Sequence, residues 1–214
     1  MHSIPGRHVA AQPGQRTHSS AAKAQWSDKI WERYIEKLQD GLPPAQSSLT
    51  ALPVDKYPST AHLPFSPQVA SDDIQLSFNS CSWLSAGELV ITEKLDGANC
   101  CFHLGKVYAR THTSEATHVS FNMLKEVAPA IGYLLPQHLA LFGENMAAIH
   151  SIEYHGLKGP FYPFAALDCV TREWLSWDET EALAADIGLP TVPVLFRGKF
   201  PDLRHLQKWV DSEM

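Results

Sequence analysis

Between Glu88 and Leu104 the chain has room for two short strands and little else. Leu89-Val90-Ile91-Thr92 is a β-branched run too short for a helix. It stops at Glu93-Lys94-Leu95-Asp96-Gly97, after which Ala98 to Leu104 is again mostly apolar. A lysine at the end of a strand, followed two residues on by a carboxylate and then by a glycine, can place one amine in a pocket. Gly97 lets the backbone approach a ligand closely. Such a lysine suits nucleophilic attack on a phosphorus centre, giving a covalent lysine–nucleotide intermediate. A free lysine amine titrates near ~10.4, so the attack needs cationic neighbours, a metal or desolvation to lower it. The Lys-x-Asp-Gly pattern is too short to stand alone and needs companions further along the chain.

The chain beyond Gly97 reads as alternating strands and helices. Ala98 to Leu104 and Lys106 to Arg110 form a hairpin turning at Gly105, with Arg110 ending the second arm. Thr111 to Ser120 is a polar loop. Phe121, Leu124, Val127 and Ile131 mark a short helix limited by Pro129 and Pro136. His138 to Asn145 is the next strand, ending in Leu141-Phe142-Gly143-Glu144-Asn145, and Phe161 to Val170 is a buried aromatic strand holding Phe161-Tyr162-Pro163-Phe164 and Asp168. Ser176-Trp177-Asp178-Glu179 is a capping box that starts a helix running to Ile187, ended by Gly188 and Pro190. Val192 to Arg197 returns as a strand. Asp202 caps a final amphipathic helix with Leu203, Leu206, Trp209 and Val210 on its apolar face.

Three of these strings, in this order, carry a resemblance. Thr92 to Asn99 resembles motif I of the covalent nucleotidyltransferases, the superfamily of DNA ligases, RNA ligases and messenger-RNA capping enzymes. Leu141 to Asn145 is similar to motif III, and Phe161 to Phe164 with Asp168 to motif IIIa. Asn99, five residues after the lysine, brings the chain nearest the ATP-dependent RNA ligases of the phage RNA ligase 2 type. Lys56-Tyr57-Pro58, His62-Leu63-Pro64 and Leu175 to Glu179 also look like segments of that family, and the resemblance covers about residues 55 to 200.

The resemblance implies an α+β nucleotidyltransferase domain, with antiparallel sheets flanked by helices and the nucleotide pocket between sheets. It implies Lys94 as the residue that becomes lysyl-AMP. Glu93, Asp96, Gly97, Asn99, Glu144 and Phe164 would bind the nucleotide, Glu144 through the ribose hydroxyls and Phe164 by stacking on the base. Arg110 would contact the RNA end or a phosphate, and the loop Thr111 to Ser120 would lie near the substrate strand. ATP and Mg2+ are the implied cofactors, and RNA ends in a repair role are the implied partner. No metal ligand is singled out. One departure is that Ala165, not an acid, follows Phe164, which leaves Asp168 without an assigned role. Motifs IV and V, which would supply a carboxylate for the metal and cations for the α-phosphate, are not found, so the domain is expected to be C-terminally incomplete.

Residues 1–27 contain no acidic residue and hold Arg7, Arg16 and Lys23 among Ser, Ala, Gln and Pro. They read as a disordered leader, with an organellar transit peptide as the alternative. Residues 28–214 then form a single domain, entered by a helix from Asp28 to Gln39 with Ser27 as its N-cap and followed by proline-rich loop over 41–75. No apolar run suits a signal peptide or a membrane span. Cys81, Cys100, Cys101 and Cys169 lack metal spacing and read as reduced packing residues of an intracellular protein, the cytoplasm favoured. The eleven histidines lack zinc spacing and read as surface or core residues. A net charge of −6 argues against a strong non-specific nucleic-acid binder but leaves room for an enzyme with a local basic groove. A monomer is the favoured state. Without a Gly-x-x-x-x-Gly-Lys-Ser/Thr loop or a Gly-x-Gly-x-x-Gly turn, P-loop and Rossmann readings have no support. Two alternatives stand beside the RNA ligase reading: a non-catalytic nucleotide- or RNA-end-binding remnant of the fold, and a DNA ligase or GTP-using capping enzyme.

Overall fold

The computed structural model of the chain describes residues 20–40, 54, 56–67, 69–110 and 114–213, with side chains from residue 25 onward in the first helix. They form two compact units. The first takes in helix α1 (Ser20–Gln39) and Leu95–Val192; the second takes in Tyr57–Lys94 and the segment from Pro193 on.

The first unit is a four-stranded antiparallel sheet in the order β3-β2-β4-β5, formed by β2 (Ala98–His103), β3 (Lys106–Ala109), β4 (Leu139–Asn145) and β5 (Phe161–Asp168). The expected hairpin is present. Leu104 and Gly105 both have positive φ, 48° and 72°, the two left-handed residues that match a tight turn to the twist of its strands. Cys100 and Phe102 of β2, with Leu141 and Ala166, turn one face of the sheet into the core. Helix α2 (Asn122–Leu134) covers it with Leu124, Val127, Ile131 and Leu134. The sequence places a stop at Pro129, yet α2 runs through it. Pro129 is exposed, on the side where water can replace the hydrogen bond its ring removes.

Helix α3 (Trp177–Ile187) opens with the expected capping box: the Ser176 hydroxyl accepts from the Glu179 N–H, and the Glu179 carboxylate accepts from the Ser176 N–H at 2.8 Å. It closes at Gly188, φ 88°. Helix α1 starts at Ser20 rather than Asp28, so Ser27 lies inside it and cannot be its N-cap. Trp26, 3% exposed, and Ile30 anchor it in the core. Residues 20–27 are thus helical within the segment read as a disordered leader, and residues 1–19 lie outside the described residues. Lys37 at its far end meets Asp186 of α3 at 2.6 Å. His103 is a core histidine, its Nδ1 3.0 Å from the Leu139 carbonyl, and burial pushes its pKa down, so it is neutral.

In the second unit β1 (Leu89–Thr92) pairs antiparallel with β6 (Val194–Gly198), with an irregularity after Ile91. Helix α4 (Leu203–Glu213) packs on a 3-10 helix, Phe78–Ser85, that the sequence reading did not anticipate. Trp209 of α4 joins Phe196 and Phe200, whose rings stack at 4.4 Å. Of the proline-rich approach, residues 41–53, 55 and 68 lie outside the described residues; in the rest His62 and Gln75 bridge, the Leu76 N–H donates to the His62 carbonyl at 2.8 Å, and Asp73 accepts from the Ala70 N–H at 3.1 Å.

Gly132 tests the first unit's packing. A Cβ there would meet the backbone of Gly105, so α2 lies directly on the hairpin turn. Ala favours a helix over Gly by about 1 kcal/mol, but pushing two backbone segments apart costs about 3 kcal/mol. Gly132→Ala is therefore expected to destabilise the protein by about 2 kcal/mol, read as a lowered urea midpoint.

Candidate active site

Glu93 and Lys94 follow β1 at the end of the first segment of the second unit. The Glu93 N–H donates to the Pro193 carbonyl at 2.9 Å, which extends the β1–β6 ladder past its last pair. Lys94 is exposed and is the last residue of that unit's first segment. Leu95, next in the chain, is 4% exposed and belongs to a small cluster of the first unit with Met146, Tyr162 and Val192.

The remaining motif I residues lie in the first unit, against the end of β4. The β2–β4 register pairs Asn99 with Glu144, and the β4–β5 register pairs Glu144 with Tyr162. Directly paired residues share a face, so Asn99, Glu144 and Tyr162 form one row across three strands. The Asn99 Oδ1 is buried and has no hydrogen-bond partner, an arrangement that costs free energy until a donor arrives. Glu144 accepts from the Gly97 N–H at 3.2 Å, which binds the motif I turn to β4.

Gly97 and Gly143 have separate reasons to lack a side chain. A Cβ at Gly97 would come within 2.5 Å of the Asn145 carbonyl and 2.6 Å of the Met146 sulfur. The close approach the sequence suggested at Gly97 is therefore, in the described residues, an approach to β4. At Gly143 a Cβ would strike the Phe161 ring at 2.5 Å. Beside it the β4–β5 register shifts: Gly143 faces Pro163 while Phe142 faces Ala165, so Phe164 is the extra residue of a bulge. A proline at this irregularity withdraws no donor from a regular ladder. Phe164 is half-buried and packs against the Leu95–Tyr162 cluster.

Asp96 has partners the sequence did not reveal. Its Oδ2 accepts from the Ser151 hydroxyl at 2.6 Å, the Ser151 N–H at 2.8 Å and the Ile152 N–H at 3.2 Å. Its own N–H donates to the Tyr154 hydroxyl oxygen at 3.0 Å. Partial burial pushes the Asp96 carboxyl up, but the Ser151 and Ile152 bonds, with His150 nearby, outweigh it and hold the carboxyl below its ordinary range. Ser151 and Tyr154 sit in the loop between β4 and β5, where nothing in spacing or composition distinguishes them.

Arg110 follows the last β2–β3 pair, Cys100 with Ala109, and is exposed. Asn99 and Arg110 are the residues next along from that last pair, so the β2–β3 register leads Arg110 toward the Asn99 end of the row, and residues 111–113 beyond it lie outside the described residues. The later part of that polar loop returns to the sheet, with Glu115 bridging Tyr108 and meeting Lys106 at 2.6 Å. Asp168 ends β5 and ties the turn that follows it: bonds from the Thr171 and Val170 N–H groups hold its carboxyl below the ordinary range. Among the described residues no group of three or more His, Cys, Asp or Glu side chains is placed to hold a metal ion.

A sequence model of the family described as RNA ligase matches residues 87–212, a span that contains all the residues above. No curated protein matches the chain. Among solved structures, a point variant of the Naegleria gruberi RNA ligase with ATP and Mn is similar at 22% identity and a TM-score of 0.43, over 54% of this chain and 38% of that one. The Naegleria gruberi RNA ligase with PPi is similar at 18% identity and a TM-score of 0.47, over 78% and 51%. An archaeal ATP-dependent RNA ligase is similar at 20% identity and a TM-score of 0.42, over 58% and 35%. The chain thus spans between 35% and 51% of the length of these three.

The depressed Asp96 carboxyl makes a pH prediction. Its pKa is lower folded than unfolded, so its contribution is present above the unfolded value, about 3.9, and is lost as pH falls through the folded value. Asp96→Asn is expected to be less stable than the wild type at neutral pH, with the gap closing below pH ~4. Urea unfolding of both proteins at neutral and acid pH reads this. Other carboxyls held low, Asp168 and Asp202 among them, are common to both proteins and cancel in the difference.

Proposed function

The chain belongs to the RNA ligase family, and from that membership we propose that it is an ATP-dependent RNA ligase whose Lys94 forms the covalent nucleotide intermediate. The Lys94 amine, once it has lost a proton, attacks the α-phosphorus of ATP. The α–β phosphoanhydride bond breaks and pyrophosphate leaves, giving lysyl-AMP. AMP then passes to an RNA 5′-phosphate, and a 3′-hydroxyl displaces it to seal the strand. The DNA ligase and capping-enzyme readings give way to the family match.

The observation that carries this reading is the row Asn99–Glu144–Tyr162 beside the turn that follows Lys94. The buried, unpartnered Asn99 Oδ1 suits a nucleotide, since a hydroxyl or amine of the ligand would supply its missing donor. Glu144 in the same row suits the ribose hydroxyls, and Phe164 on its bulge suits the base face. Arg110 is assigned to the RNA end. Magnesium, as the fold family implies, would be held largely by the phosphates and water, its usual mode where a protein supplies one or two carboxylates at most. It would offset phosphate charge.

We place the protein inside the cell. Its four cysteines are free and buried, and burial pushes the Cys169 thiol up to about 11 and Cys101 further still, as suits unreactive thiols in a reducing compartment. No helix among the described residues is long and apolar enough to cross a membrane.

Incubation of the purified chain with magnesium and α-labelled ATP, beside Lys94→Ala, tests the proposal by intact mass and gel. The expected result is one AMP on the wild type and none on the variant. A folded wild type that binds ATP yet takes no label would mark a nucleotide-binding protein without turnover and end the ligase reading.

A further inference from the structure

We propose that Ser151 and Tyr154, in the loop between β4 and β5, are positioning residues for the lysine, acting through the Asp96–Gly97 turn; this rests on reading Lys94 as the adenylated residue. Both backbone N–H groups of that turn are taken by side chains distant in sequence, Asp96 by Tyr154 at 3.0 Å and Gly97 by Glu144 at 3.2 Å. A surface turn ordinarily leaves such groups to water or to its own residues. The Asp96 carboxylate accepts three bonds on one oxygen, all from Ser151 and Ile152. Two of them, at 2.6 and 2.8 Å, have the short length of charge-assisted bonds. The two residues that begin two positions after Lys94 are therefore fixed on every polar side for which the structure gives a partner.

The loop that does the fixing is itself held. The Met146 N–H donates to the Pro160 carbonyl at 2.6 Å, closing the loop at its base. The Lys158 N–H donates to the Tyr162 hydroxyl at 2.6 Å. Gly159 lies against the Trp26 ring, where a Cβ would come within 2.6 Å of the indole nitrogen. Ser151 thus presents its hydroxyl and N–H from a braced platform.

Braced ties of this kind matter to chemistry through placement. An attacking amine must approach phosphorus within about 3–3.5 Å and in line, and a 1 Å displacement from a remote change can cost about a hundredfold in rate. The hydrogen bonds of Ser151 and Tyr154 go to Asp96 of the turn and not to Asn99 or Glu144 of the row, so their removal should slow attack far more than it weakens nucleotide binding. A residue serving only as scaffold would lower stability without separating these two quantities.

The test measures ATP affinity and the single-turnover rate of AMP attachment at saturating ATP, for wild type, Ser151→Ala, Ser151→Thr and Tyr154→Phe. Ser151→Ala and Tyr154→Phe are expected to slow attachment about tenfold or more, with affinity within about twofold. Ser151→Thr, which keeps a hydroxyl, is expected to recover most of the rate. Should Ser151→Ala fold poorly, Tyr154→Phe alone decides, since it removes a single oxygen. Wild-type rates in both variants, or a loss confined to affinity, overturn the positioning role while lysyl-AMP formation stands. A wild type that takes no label overturns both.

Discussion

Gly97 lies so close to the end of β4 that no side chain fits, and from this contact the arrangement of the site follows. With the turn pressed on Asn145 and Met146, the strand that leaves it can enter the sheet in only one register, the one that sets Asn99 opposite Glu144. A shift of one residue would turn Asn99 into the apolar face that holds Cys100 and Phe102. Glu144 then returns the constraint by accepting from the Gly97 N–H. The pairing of two sequence motifs in space is therefore a packing consequence of one missing methyl group.

Residues that act on close neighbours were readable in the chain. Ser176 and Glu179 are three apart and cap their helix as expected. Asp202 accepts from the His205 N–H at 3.0 Å. Gly105 marks its turn because little else tolerates that backbone conformation. What escaped was long-range. The Ser151–Asp96 tie joins residues 55 apart, and no local preference of a serine records a partner at that distance. Helix α1 escaped for a related reason: the alanines before Trp26 suit a helix and a disordered leader equally, and it is the burial of Trp26 at 3% that separates the two. Pro129 misled because the cost of an interior proline depends on what its face of the helix meets, and here that face meets water.

The division into two units also lay beyond reach. Apolar periodicity reports that a strand has a buried face, not which sheet receives it. The run at Leu89 and the run at Val194 look like the other strands of the chain, yet they pair with each other and the rest form a separate sheet. Motif I spans the boundary: Lys94 ends a segment of one unit and Leu95 begins a segment of the other.

The β1–β6 pairing has a consequence for the chain as it is made. Synthesis delivers Leu89–Thr92 early, but their ladder partner, Val194–Gly198, leaves the ribosome only after all four strands of the other sheet. The larger sheet can form while translation continues, as N-terminal structure commonly does, whereas the strand that leads to the lysine must wait for Val194–Gly198. A nascent chain would thus hold Asn99 in register with Glu144 before the strand that precedes Lys94 has its own partner.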